Sequence, residues 1–120
     1  MYQVSKTFSF DAAHLLRDYD GKCARLHGHR WEVAVCVEGN TLDAIGMLVD
    51  FGVIKVAAQH STAQYDHNLL NDILPYDEIN PTAENIARLI FDYTASQGFP
   101  VVEVQLWETD HCFATYRGKK

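Results

Sequence analysis

The histidines of His27-Gly28-His29 stand two positions apart. In an extended segment both rings point to one side, so both imidazoles can reach one metal ion. The alternation of Trp31, Val33 and Val35 carries the same parity back through His29 and His27. That of Phe8 and Phe10 runs forward to His14, provided no bulge intervenes at Ala12-Ala13. Three imidazoles then converge where two neighbouring strands end. Three neutral histidines suit zinc. No cysteine pair completes a four-ligand structural set. A fourth position stays open for water or a substrate oxygen, as a catalytic zinc requires. A chance His-x-His is the plainer reading of that motif alone.

Three other groups could do chemistry. Cys23 precedes His27 by four residues, in a polar loop with Lys22 and Arg25. A thiol ionises near pH 8.5 in isolation, and nearby cations or a metal make it a usable base. An incidental loop cysteine is the competing reading. In Asp66-His67 a carboxylate adjoins an imidazole, whose tautomer and basicity it can set. Helix capping by Asp66 or Asn68 competes. Glu108 ends a strand pattern whose Val102, Val104 and Leu106 share its parity. A carboxylate there can grip two adjacent N–H donors, or simply face solvent. Arg17, Lys22, Arg25 and Arg30 place cations near the histidine motif. His60 and His111 receive no role, and Cys36 and Cys112 read as packed small hydrophobes.

The elements that must position these groups are strand, strand, helix, helix, strand, strand. A first strand from Tyr2 to about Asp11 alternates Val4, Phe8 and Phe10 with polar residues. A second starts near His29 and stops at Gly39-Asn40. A helix follows Asp50, with Val53, Val56, Ala57 and His60 at helical spacing. A second helix starts at Asn80-Pro81-Thr82, carries Ile86, Leu89, Ile90 and Tyr93, and ends at Gly98. Strands over 101–108 and 111–117 flank Thr109-Asp110 as a tight hairpin. The class is α+β: an antiparallel four-stranded sheet (ββααββ) with both helices on one face. The uncovered sheet face makes association with further copies an expectation.

The 120 residues suit a single domain spanning 1–120, and 48% hydrophobic with 22% charged residues is a globular composition. A net charge of −6 argues against a nucleic-acid surface. Three irregularly spaced cysteines are not a disulfide framework. The first residues lack the apolar run of a secretory leader, and no stretch nears the roughly 18 apolar residues of a membrane span. A cytoplasmic location is expected.

Together the motifs resemble the 6-pyruvoyltetrahydropterin synthase and 6-carboxytetrahydropterin synthase family over nearly the whole chain. The matching pieces are Phe10-Asp11-Ala12-Ala13-His14, Cys23-Ala24-Arg25-Leu26-His27-Gly28-His29, Gly46-Met47-Leu48-Val49-Asp50-Phe51, Asp66-His67-Asn68-Leu69-Leu70-Asn71, Asn80-Pro81-Thr82-Ala83-Glu84-Asn85 and Trp107-Glu108-Thr109. The resemblance implies the tunnelling fold, whose sheets close into barrels as trimers or hexamers with active sites between subunits. It implies His14, His27 and His29 as zinc ligands and Cys23 as catalytic base. Asp66 and His67 would be its relay partners, and Glu108 the pterin anchor. Thr82 and Glu84 would line the pterin pocket, with Arg25 a candidate for the triphosphate. The implied substrate is 7,8-dihydroneopterin triphosphate. The short gap between Cys23 and His27 resembles the 6-carboxytetrahydropterin synthases of queuosine (7-deazaguanine) biosynthesis. The alternatives are the pyruvoyl-forming branch, which omits side-chain cleavage, a catalytically silent pterin- or zinc-binding oligomer, and a structural zinc module. Gly52 departs from the family pattern and is expected to loosen the start of the first helix.

Overall fold

The computed structural model describes residues 1–118. Two long strands, β1 (Tyr2–His14) and β2 (His27–Gly39), pair antiparallel without interruption from Tyr2↔Gly39 to His14↔His27. No bulge falls at Ala12-Ala13, so period-two alternation carries the whole way. Phe8, Phe10, Ala12 and His14 are buried along one strand, as are Trp31, Val33, Val35 and Val37 along the other. The first strand thus runs three residues past its expected end, because pairing with β2 continues that far.

The sheet corrects the four-stranded antiparallel expectation. After helix α1 (Phe51–Thr62), a two-residue strand, β3 (Asn68–Leu69), pairs parallel with β1 at Ala12 and Ala13. After helix α2 (Ala83–Ser96) come β4 (Val101–Thr109) and β5 (Cys112–Tyr116). The result is a mixed five-stranded sheet in the order β3-β1-β2-β4-β5. Two residues cannot display an alternation, and β3 exists only because the β1 edge accepts it. The hairpin turn is Asp110-His111, one residue beyond expectation, since Thr109 pairs with Cys112.

Both helices cover the face that carries the buried positions, α1 over β1 and α2 over β4 and β5. Thr82 caps α2 by accepting from Asn85 N–H at 3.1 Å. Its buried stripe includes Ile86, Ala87 and Ile90. Gly98 follows its end at φ 94°, a left-handed conformation that glycine adopts without a Cβ clash. Helix α1 presents the opposite face from the one expected. Ile54, Ala58, Ser61 and Thr62 are buried, whereas Val53 and Val56 are 51% and 57% exposed. Both sides of α1 carry apolar residues, so sequence contrast could not choose; the shape of the sheet did. Asp50 accepts from Gly52 N–H at 2.7 Å, and a Cβ at Gly52 would come within 3.1 Å of the same carboxylate oxygen. The glycine therefore accommodates the cap rather than loosening the helix start.

Candidate active site

The antiparallel register places His14 directly opposite His27, with His29 two residues further, opposite Ala12. All three rings project to the helix-covered face. Their centroids lie 4.5 Å (His14–His27), 4.8 Å (His27–His29) and 5.4 Å (His14–His29) apart. Trp31 closes the core side, edge-on to His14 at 4.8 Å and to His29 at 5.3 Å. One ligand nitrogen from each histidine lies within 4.8 Å of the other two. The Nε2 atoms of all three are buried and have no hydrogen-bond partner. Buried polar atoms are rarely left unsatisfied, and three facing one another is the arrangement a divalent ion satisfies. The residues fit a metal, and His14, His27 and His29 are the ones that would hold it.

Backbone carbonyls set two of the tautomers. His14 Nδ1 meets the Pro81 carbonyl at 2.7 Å, and His27 Nδ1 meets the Arg25 carbonyl at 2.7 Å. A carbonyl only accepts, so each Nδ1 carries the proton and each Nε2 keeps its lone pair inward. Burial pushes the His14 pKa down to about 4, against the Pro81 hydrogen bond and helped by repulsion from His27 and His29. Burial, then His27, also lowers His29. Both are neutral at physiological pH, the form that binds metal.

This has a measurable consequence for the metal-free protein. Between pH 6.5 and about 4 the unfolded chain protonates His14 and the folded chain does not. Stability rises with pH wherever the unfolded state binds more protons. Stability should therefore fall as pH drops through that window, by up to about 3 kcal/mol from this residue. Thermal denaturation of chelator-treated protein at several pH values should show the slope, and His14→Gln should flatten it. An unchanged slope in that variant would contradict the assignment.

Glu108 shares the parity of the buried Val104 and Leu106 in β4, so alternation turns it to the helix-covered face. Trp107 pairs with Phe113 and Thr109 with Cys112, so Glu108 is an extra residue in β4. Its Oε2 lies 3.8 Å from His29 Nε2. Burial first, and then Glu84, hold its carboxyl above the usual range, while His27 pulls the other way. Glu84, in the first turn of α2, and Glu108 line one cavity of about 400 Å³ with Cys112 and Phe113. Cys112 is exposed there, contrary to its reading as a packed residue, because it sits beside the hairpin turn; Cys36 is buried. Thr82 serves as the α2 cap at the edge of this region.

Asp66 and His67 form a second cluster with Asp11, and His67 lines one cavity with His29. Asp66 Oδ1 accepts from Asp11 N–H at 2.9 Å on the β1 edge, and Asp66 Oδ2 meets His67 Nδ1 at 3.1 Å. The Asp11 N–H bond, with His67 and Arg30 adding to it, holds the Asp66 carboxyl below its ordinary range. His67 N–H donates to the Asp11 carbonyl, and His67 adopts a left-handed φ of 61°. Non-glycine residues enter that region rarely, often at functional sites. Asp11, Asp66 and His67 group with each other and not with the trio.

Cys23 lies half-buried on a short 3-10 turn, Lys22–Ala24, and its carbonyl accepts from Leu16 N–H at 2.8 Å. It is not among the grouped ligand atoms. Arg25 is exposed. Arg17 donates to the Tyr76 carbonyl, and Arg30 pairs with Asp11, so both already have protein partners. Sequence reasoning missed the supporting acceptors. Every residue has a carbonyl, so nothing marks those of Pro81 and Arg25 in advance.

The family model described as 6-pyruvoyl tetrahydropterin synthase matches residues 3–119. A protein of Synechocystis sp. named 6-carboxy-5,6,7,8-tetrahydropterin synthase is 38% identical, covering 97% of this chain and 93% of its own. One of the same name from Rickettsia conorii is 32% identical, covering 94% and 98%. The solved structure of Caenorhabditis elegans 6-pyruvoyl tetrahydropterin synthase superposes with a TM-score of 0.87 at 26% identity, covering 98% of this chain and 96% of that one. With sequence, fold and histidine geometry in agreement, the chain belongs to the 6-pyruvoyl tetrahydropterin synthase family.

Proposed function

We propose that the chain converts 7,8-dihydroneopterin triphosphate and one water to 6-carboxy-5,6,7,8-tetrahydropterin, acetaldehyde and triphosphate. One observation carries the reading: three buried, unpartnered Nε2 atoms face one another beside a partly buried carboxylate, Glu108. Relatives named for this product span nearly the whole chain.

Zinc held by His14, His27 and His29 would supply Lewis acidity toward side-chain oxygens of the substrate. Cys23 takes a proton from the substrate side chain, and His67, oriented by Asp66, moves a second proton at an oxygen. Glu108 accepts hydrogen bonds from the ring's paired N–H groups, with Glu84 and Thr82 at the pocket wall. Such anchoring sets the distance between side chain and base. Arg25 is the proposed triphosphate contact. The family resemblance puts active sites between subunits. Self-association as a trimer or hexamer accords with a free β5 edge and with β1 being covered by β3 only at Ala12 and Ala13. No helix of the described residues is long and apolar enough to cross a membrane. We propose a cytoplasmic enzyme of queuosine biosynthesis.

A second reading is favoured by the structural neighbour named 6-pyruvoyl tetrahydropterin synthase: triphosphate elimination without side-chain cleavage. Zinc-loaded protein incubated with 7,8-dihydroneopterin triphosphate decides between them. Acetaldehyde and 6-carboxy-5,6,7,8-tetrahydropterin are expected. Accumulation of 6-pyruvoyltetrahydropterin selects the second reading, and unchanged substrate leaves only a binding protein.

A further inference from the structure

The segment just after His14 is held in an unusual way. Leu15 N–H donates to Asn71 Oδ1 at 3.0 Å, and Asn71 Nδ2 donates back to the Leu15 carbonyl at 3.0 Å. Two residues on, Arg17 N–H donates to Asn80 Oδ1 at 2.8 Å, and Asn80 Nδ2 returns a bond to the Arg17 carbonyl at 2.8 Å. A side-chain amide offers one acceptor and a donor group, as a peptide does. In an extended chain, residues i and i+2 turn their N–H and C=O to the same side. The two asparagines therefore stand in for a neighbouring strand along Leu15–Arg17. Leu16 turns the other way, and its N–H donates to the Cys23 carbonyl at 2.8 Å. The segment is clasped between the asparagines and the Cys23 turn.

Each clasp has a firm base. Asn71 lies in the 3-10 turn Leu70–Asp72, whose Leu70 is fully buried. The Asn80 carbonyl accepts from Asn85 Nδ2 at 2.9 Å and from Thr82 N–H at 2.9 Å, which ties it to the first turn of α2. The next residue, Pro81, supplies the carbonyl that orients His14.

We propose that Asn71 and Asn80 are positioning residues that hold His14 and the Cys23 turn in one fixed relation. The proposal rests on the metal-centre reading for His14, but its placement of Cys23 does not. Asn71→Asp and Asn80→Asp keep the shape and lose the donor, leaving a carboxylate against a carbonyl. Cobalt(II) binding, followed by visible absorption, reads the imidazoles. The rate of Cys23 alkylation by iodoacetamide, read by peptide mass at 25 °C, reads the turn. Both aspartate variants should weaken cobalt binding roughly tenfold or more, the range for loss of groups that orient a ligand. Both should also alkylate Cys23 several times faster. Ile90→Val, in the core of α2, should lower the melting temperature and change neither readout. That same pattern in both asparagine variants overturns the proposal. Should wild-type protein bind no cobalt, the metal reading fails and the alkylation rates alone decide: faster in the variants upholds the clasp, unchanged overturns it. Where an aspartate variant does not fold, the alanine variant at that position takes its place.

Discussion

His29→Ala should lose bound zinc and reduce turnover by about a thousandfold or more, while the protein stays folded. The magnitude follows from the several kcal/mol that a metal contributes to stabilising transition-state charge, at about 1.4 kcal/mol per tenfold in rate. His29 is a better choice than His14 for this test. His14 is 1% exposed and packs on Trp31, so its removal would also leave a core cavity. The side chain of His29 is 18% exposed. The fold should survive because the sheet and helices share a continuous core built on Phe8, Trp31, Val35, Ile54, Ile86 and Leu106. A structural zinc module predicts the opposite, since its metal-binding energy is its folding energy. Metal content, circular dichroism and turnover of the purified variant separate the cases. Full activity without metal would remove the basis of the functional reading.

Cys23→Ala should lower turnover by about two to four orders of magnitude, the usual worth of a positioned general base, with zinc content unchanged. Cys23 connects to the rest of the site through its backbone carbonyl, which accepts from Leu16 N–H. Alanine keeps that carbonyl, so the turn holds and only the thiol is lost. Single-turnover kinetics on zinc-loaded variant and wild type measure the step directly. Equal rates well above background would make Cys23 a bystander, and equal rates at background level would favour a silent pterin-binding protein.

The imidazole cluster was legible because strand parity is a local property. Side chains alternate every residue, so Phe8, Phe10, Trp31 and Val33 determine which way His14, His27 and His29 point once β1 and β2 pair. The ends of α2 were legible for a similar reason, since a capping threonine and a left-handed glycine act within one turn. The paired residues of Asp66-His67 did meet, at 3.1 Å.

What lay beyond the sequence depended on contacts distant along the chain. Helix α1 has apolar residues on both sides, and only docking against β1 selected Ile54 and Ala58 over Val53 and Val56. The two-residue strand β3 has no periodicity and forms because β1 leaves an edge open at Ala12 and Ala13. The parity of Val104 and Leu106 already turned Glu108 inward, but the bulge beside β5 is a mismatch between two strands, invisible in either one alone. Asn71 and Asn80 reach Leu15 and Arg17 across 56 and 63 positions of sequence. The sequence by itself determined which side chains share a face, because backbone geometry repeats over two or three residues. The tertiary structure alone decided which faces meet, because that depends on where the chain returns.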